Sequence, residues 1–413
     1  MSLDSLPPDA NAPLRSPASP TSPPSTATRT RAGLTAVGLV AACLAAVAVG
    51  KTAGAAPVGD AAIGDMLTAL ALPASTLPIS TLPISTGPIA AAPMLALVQP
   101  TLPKTGSPVQ LAAQKSKSLA LPRASGLTWS SGAGCYTGAF DNWRGRPSDI
   151  YTFWAAQSTW SEAIRSISWY QKYASMSGRL SLGLPMLTRD TRGRFDMCNR
   201  GAYDSQVREI GRRLQSLGLG DSIVRLGWEM NHSSFPWAVP PDQKSAYKSC
   251  FQRQANLLRS QAPNLLIEWN PKKGNSYGYD VRDIFPGSAY VDIIGVDFYD
   301  GWAAMNNESQ WNRNYNATKY GGPNGIGSWL AFARSQGKRL AVPEWGVCQG
   351  CNDPQQTDNP FFIRKMNDFF RSNSSDIAYE SYFNCTYAYK GKSYRLFPVR
   401  DNPRASAEYQ ARW

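Results

Sequence analysis

Along residues 126–413, short runs of β-branched and aromatic residues alternate with stretches in which apolar side chains recur every three or four positions. The runs Ala133–Phe140, Ile150–Ala155, Leu180–Met186, Ile223–Glu229, Leu265–Asn270, Asp292–Tyr299, Leu340–Glu344 and Ile377–Phe383 read as strands. Between them, Val207, Ile210, Leu214 and Leu217 trace one helical face that stops at Gly218, a C-cap residue. Trp329 to Phe332 begin a second face, ending at Gly337, and Phe362, Met366, Phe369 and Phe370 a third. Strand and helix in alternation predict a parallel sheet. Eight such units in about 250 residues predict a single (β/α)8 barrel of the α/β class.

Residues 1–125 lack this alternation and contain no Trp, Tyr or Phe. A stretch rich in Pro, Ala, Ser and Thr buries too little apolar surface to offset chain entropy, so no folded core is expected there. Arg29 and Arg31 precede an uncharged apolar run, Leu34 to Val49, followed by Lys51 and the small residues Thr52 to Ala56. The run is shorter than the roughly 20 residues of a bilayer span, and the order of charge, apolar core and small residues is that of a secretory signal. Residues 1–56 read as a tail with a signal peptide or a retained signal anchor. Val40-Ala41-Ala42-Cys43 also has the form of a lipobox. Residues 57–125, with the repeated Ser75–Ser80 and Thr81–Thr86 segments, read as an extended linker. A secreted or cell-surface protein is expected, touching membrane only through residues 34–49.

Six of the seven cysteines lie in residues 126–413, and an even number behind an export signal predicts disulfides. Cys348-Gln-Gly-Cys351 reads as a local structural disulfide ahead of a redox or zinc motif. His232 is the sole histidine, which excludes zinc sites built on several histidines and leaves acid–base chemistry mainly to carboxylates, Lys, Tyr or Cys. The net charge of +13 persists beyond the tail, with 34 Lys/Arg against 25 Asp/Glu after residue 125. Those charges are scattered, so a solvated basic surface is expected and nucleic acid is not, while affinity for an anionic polymer stays open. No Gly-rich phosphate loop is present, and no cofactor is expected.

In a (β/α)8 barrel the working groups sit at the C-terminal ends of the strands. Those ends supply Glu229, Asn270, Tyr299 and Glu344. The two-residue period places Arg225, Gly227 and Glu229 on one face, Ile293, Gly295, Asp297 and Tyr299 on another, and Leu340, Val342 and Glu344 on a third. Two carboxylates from strands four and seven thus converge on one cleft. Glycoside hydrolysis needs one protonated acid for the leaving oxygen and one carboxylate for the oxocarbenium-like centre. A Trp-rich enclosure raises the first, and a hydrogen-bonding tyrosine keeps the second ionised. Trp228, Trp237, Trp269, Trp302 and Trp345, near the strand ends, are candidate sugar platforms, with core packing the competing reading for each.

The series Arg225-Leu-Gly-Trp-Glu229-Met-Asn231, Phe235-Pro-Trp237, Trp269-Asn270-Pro271, Phe285-Pro-Gly287, Tyr290-Val-Asp292, Gly295-Val-Asp297-Phe-Tyr299 and Glu344-Trp-Gly346 resembles glycoside hydrolase family 26, the β-mannanase family of clan A. The resemblance implies a retaining, metal-free mechanism with Glu229 as acid/base, Glu344 as nucleophile and Tyr299 orienting the nucleophile. It further implies Asn231, Trp237 and Trp302 at sugar subsites and Arg225 in support. The family's usual His before the acid/base is here Trp228, and its Gly after Met-Asn is His232, so mannan specificity does not carry over. The expected protein is a monomeric endo-β-glycosidase for a polysaccharide of β-mannan, β-glucan or xylan type. Its two carboxyl groups should lie about 5–5.5 Å apart. The alternatives are a non-catalytic polysaccharide- or wall-binding barrel and a binder of anionic polymers.

Overall fold

A computed structural model describes residues 120–301, 305–350, 356–386 and 393–413. Eight parallel strands form the centre: β1 (Ser130–Gly134), β2 (Ile150–Trp154), β3 (Arg179–Leu184), β4 (Ile223–Leu226), β5 (Leu266–Trp269), β6 (Ile293–Gly295, resuming at Phe298–Tyr299), β7 (Arg339–Gly346) and β8 (Ile377–Phe383). Each pairs with its sequence neighbour, and β8 pairs with both β7 and β1, so the sheet closes on itself. The predicted parallel barrel with flanking helices is the observed fold.

The helices follow the predicted faces. Asp204–Ser216 buries Val207, Ile210 and Leu214. It ends in a Schellman turn, with Gly218 at φ +75°, Leu219 N–H donating to Leu214 O and Gly218 N–H to Gln215 O. Ile326–Ser335 and Pro360–Ser372 bury the other two apolar faces against the barrel. The first predicted strand differs: it ends at Gly134, because Cys135 turns left-handed at φ +51°, and Gly138–Arg144 is helical. Packed structure also starts before residue 126. Leu121 joins Ile150, Ile223, Leu266, Ile293, Ala341, Ala378 and Tyr379 in one apolar cluster, and the Ser125 hydroxyl donates to Asp149 at 2.5 Å.

Two disulfides are described, Cys135–Cys385 and Cys198–Cys250. The first ties the end of β1 to the chain just after β8, where the barrel closes. Cys348 is also disulfide-bonded, while Cys351, its expected partner, lies outside the described residues. Among the described residues no helix is long and apolar enough to cross a membrane, and the 34–49 run lies outside them.

Between barrel and helices, the buried Glu380 of β8 accepts indole N–H bonds from Trp345 at 2.6 Å, Trp413 at 2.9 Å and Trp129 at 3.4 Å. Glu380→Ala would strand three buried donors at once. It is expected to destabilise the fold by about 3–5 kcal/mol. Urea denaturation measures this, and a loss under about 1 kcal/mol would show that these bonds contribute little.

Candidate active site

The site is assembled by where two strands stop being regular. β4 ends at Leu226 because Gly227 (φ +57°) and Glu229 (φ +48°) both take left-handed backbone. That conformation is uncommon and costly for a residue with a Cβ, and the surroundings enforce it. Glu229 N–H donates to Asn270 O at 2.6 Å, and His232 N–H to Glu229 O at 2.8 Å. Glu229 is thus set in a bonded turn above β4.

β7 carries the second carboxylate through a register break. Ala341 belongs to the cluster inside the barrel, whereas Leu340 and Val342 belong to the layer outside it. Strict alternation would put Glu344 outside with them. Between Val342 and Trp345, β7 advances three residues while β8 advances two, from Glu380 to Tyr382. That bulge brings Glu344 inward and Trp345 outward. The expectation that Leu340, Val342 and Glu344 share a face is therefore corrected.

Inside, the Glu344 carboxylate accepts three side-chain donors: Arg225 Nη1 at 2.7 Å, Trp154 Nε1 at 2.9 Å and Tyr299 Oη at 3.0 Å. Arg225 is fully buried, also donates to Asn270 Oδ1 at 3.1 Å, and lies 3.9 Å from Asp297. Burial disfavours its charge, but Glu344 and Asp297 hold the guanidinium above its ordinary range. Asn270 spans the pair, donating to Asp297 Oδ1 at 3.1 Å. Burial, reinforced by the Glu344 charge, raises Asp297 well above the carboxylate range. It raises Tyr299 as well, which keeps that phenol a donor. Deeper in the barrel, burial pushes Glu268 up to about 8, with Tyr379 donating to it at 2.6 Å. A Cβ on Gly295 would meet Glu268 Oε1 at 2.0 Å, so β6 has a glycine there.

Glu229 is half-buried, and burial pushes its pKa up to about 7. The Lys272 charge opposes that rise, the Glu344 charge adds to it, and Arg225 opposes it. Two carboxylates with different surroundings thus share one electrostatic site. His232, also half-buried, is lowered to about 4 by burial and by Lys272, so its ring is neutral; Nδ1 lies 2.8 Å from the Ser234 hydroxyl.

The remaining candidates divide. Asn231 is fully buried, and its polar atoms are spent on the β5 loop: Oδ1 accepts from Lys272 N–H, and Nδ2 donates to the carbonyls of Lys272 and Gly274. Trp228, Phe235 and Trp237 pack together, with Trp237 Nε1 donating to Trp228 O at 2.7 Å. Trp269 points out of the barrel against Phe285, Trp329 and Phe332. Trp345 packs outside against Tyr382, Phe370 and Trp413. Neither ring is brought to the carboxylate pair, and Trp302 lies outside the described residues. Trp154 and Lys272 were not singled out in the sequence. Ile150, Thr152 and Trp154 alternate along β2, so a strand-end aromatic on the inner face was the available signal for Trp154.

The family model Glycosyl hydrolase family 26 matches residues 200–337, a span that takes in Glu229 and Tyr299 and stops before Glu344. The match makes that third of the chain similar to family 26 glycosyl hydrolases. Its barrel is similar to that of a modular endo-β-1,4-mannanase from Cellulomonas fimi, at 15% identity over 72% of this chain and 73% of the other, with a TM-score of 0.53. It is similar to a family 26 protein from Muricauda at 13% identity, covering 74% and 89% with a TM-score of 0.51. A family 26 β-mannanase from Bacteroides ovatus gives 13% identity, 74% and 93% coverage, and a TM-score of 0.51. At such identities the likeness is one of fold. Sequence comparison with curated proteins finds no match.

Proposed function

We propose that this family 26-like barrel is a retaining endo-β-glycosidase that hydrolyses a polysaccharide by double displacement. Glu344 attacks the anomeric carbon while Glu229 protonates the departing glycosidic oxygen. Glu229, now ionised, then takes a proton from the water that releases the glycosyl group from Glu344. The observation that carries this reading is the contrast between the two glutamates. Glu344 is aimed by Arg225, Trp154 and Tyr299 together, whereas Glu229 is raised to about 7, where it can exchange a proton near neutral pH. In this reading Tyr299 and Arg225 are positioning groups for the nucleophile, and Asn231 holds the acid/base turn against the β5 loop. Trp228 and Trp237 make the apolar layer beside that turn.

Residues 1–56 and 57–119 serve, in the same proposal, as export tail and spacer for a secreted or surface-held enzyme. The test is product analysis with residues 120–413 on β-mannans, β-glucans, xylans and acidic polysaccharides, β-mannan standing first because the similar structures from Cellulomonas fimi and Bacteroides ovatus are named as mannanases. New reducing ends with the anomeric configuration retained in the first product are expected. An inverted first product would exclude double displacement. Binding with no cleavage of any polymer would favour a non-catalytic barrel.

A further inference from the structure

The upper end of β6 is paired on one flank only. Phe298 and Tyr299 run beside Trp345 and Gly346 of β7, and Asp300 N–H donates to Gly346 O at 3.2 Å. On the other flank β5 ends at Trp269, its last partner in β6 being Ile294. Alternate residues of a parallel strand turn their N–H and C=O to the same neighbour. Asp297, Tyr299 and Gly301 therefore face the flank that β5 has left. All three carbonyls meet one residue there. Lys273 donates its backbone N–H to Asp297 O at 2.9 Å, and its ammonium lies 3.2 Å from Gly301 O and 3.5 Å from Tyr299 O. The Lys273 side chain stands where a continuing β5 would have supplied donors.

This cation is well held. Nζ lies 5.0 Å from the centroid of the buried Phe298 ring. Burial pushes its pKa down to about 8, opposed by the Asp300 charge, so near neutral pH it is a charged donor to both carbonyls. Its stem is rooted as firmly. Asn231 accepts from Lys272 N–H at 2.9 Å and donates to Lys272 O at 2.8 Å and Gly274 O at 2.5 Å, while Gly274 N–H donates to Asn324 Oδ1 at 2.8 Å. An ammonium on so fixed a stem can hold the neighbouring strand in place. The held segment bears Tyr299, whose ring packs on Phe383 and Tyr394 and whose hydroxyl donates to Glu344 Oε2 at 3.0 Å. Arg225 and Trp154 both donate to Oε1, so Tyr299 fixes the other oxygen of the carboxylate.

We propose that Lys273 is a positioning residue for the hydrolysis: by clamping the Tyr299 and Gly301 carbonyls to the β5 loop, it holds the Tyr299 hydroxyl on Glu344. This deepens the reading of Glu344 as nucleophile and rests on it. Without the ammonium two carbonyls lose their donor, and the end of β6 is free to carry the hydroxyl off the carboxylate.

A double-substitution cycle in the full-length protein tests this, on the dinitrophenyl β-glycoside of the sugar whose polymer is cleaved. That leaving group needs no proton, so an effect on Glu229 does not enter. Lys273→Met removes the charge and keeps most of the stem. First-turnover release of dinitrophenolate should slow by about tenfold to a hundredfold, with the half-saturating concentration within about threefold of wild type. Tyr299→Phe should slow it at least as much. In the Tyr299→Phe background, Lys273→Met should cost less than about threefold more, because the hydroxyl that it positions is gone. Losses that multiply would overturn the proposal, as would a wild-type rate in a Lys273→Met variant with native circular dichroism. If the methionine variant does not fold, Lys273→Gln takes its place in the cycle, with the same non-additivity expected. Amide hydrogen exchange separates the proposal from the reading beneath it. Lys273→Met should speed exchange of the Asp300 amide by about tenfold or more and leave the β4 and β8 amides as they are. Unchanged exchange at Asp300 would overturn the clamp. Absence of any cleavage by the wild type would overturn the hydrolase reading, and the exchange rates would still decide whether Lys273 holds the end of β6.

Discussion

Glu344→Gln is expected to leave a folded protein whose polysaccharide hydrolysis is slower than wild type by about a thousandfold or more. Glutamine can keep its one acceptor oxygen on the Arg225 and Trp154 side and turn its amide N–H2 to the Tyr299 oxygen, but it cannot attack the anomeric carbon. Glu344→Ala should lose as much activity for the same reason, and it should also lose stability. The Arg225 guanidinium is fully buried, and its 2.7 Å bond to Glu344 is its closest charge compensation, with Asp297 at 3.9 Å and raised toward its neutral form. Removing one partner of a buried pair costs about 3–5 kcal/mol, because the other charge stays behind. The glutamine variant retains a dipole facing Arg225 and should fall between wild type and alanine. Steady-state rates and urea denaturation on the three proteins check both halves. Near-wild-type turnover by a folded Glu344→Gln would remove Glu344 from the chemistry. Equal stability of all three would mean that Asp297 and Asn270 suffice to hold Arg225.

The placement of those carboxylates is partly legible in the sequence. Strand ends in a repeated β/α pattern put Glu229, Asn270, Tyr299 and Glu344 at one end of a barrel, since side-chain order along a strand follows from chain direction alone. What alternation could not supply was the bulge in β7, which depends on pairing with β8 and turns Glu344 inward against the period of Leu340 and Val342. The same break sends Trp345 outward to Glu380. Trp269 fails as a platform for a related reason. Ile267 and Trp269 occupy the outer face of β5 while Leu266 and Glu268 face in, and one apolar run does not say which face a sheet closes around. Asn231 stands at the expected place with a different engagement, because its partners are backbone atoms of a loop that local sequence does not bring near. Leu121 gave no signal either, lying among prolines and small residues, and only the closed barrel offers it a cluster to join.

Glu229 yields the second large effect, and pH and leaving group together isolate it. In its proposed role as the acid, Glu229 has to be protonated when the glycosidic bond breaks, so glycosylation is expected to fall as pH rises through about 7. Glu229→Gln should slow cleavage of natural polysaccharide by about 10²–10⁴-fold. The deficit should shrink sharply on an aryl glycoside whose phenol is acidic enough to leave unassisted. Stability carries the same proton. The folded state holds Glu229 at about 7 against an ordinary value of 4.5, so between those pH values it binds a proton that the unfolded chain has released. That contribution is present in full below about 4.5 and is lost as pH rises through about 7; Glu268, raised to about 8, behaves alike over a slightly wider window. Stability should therefore decline from pH 5 to 8, by on the order of 1–3 kcal/mol for Glu229 alone. Glu229→Gln should flatten part of that slope and leave the Glu268 part in place. A variant that keeps the full slope would show that Glu229 is ionised in the folded enzyme at neutral pH. In that case the burial around Trp228 and Trp237 does not outweigh the Lys272 charge.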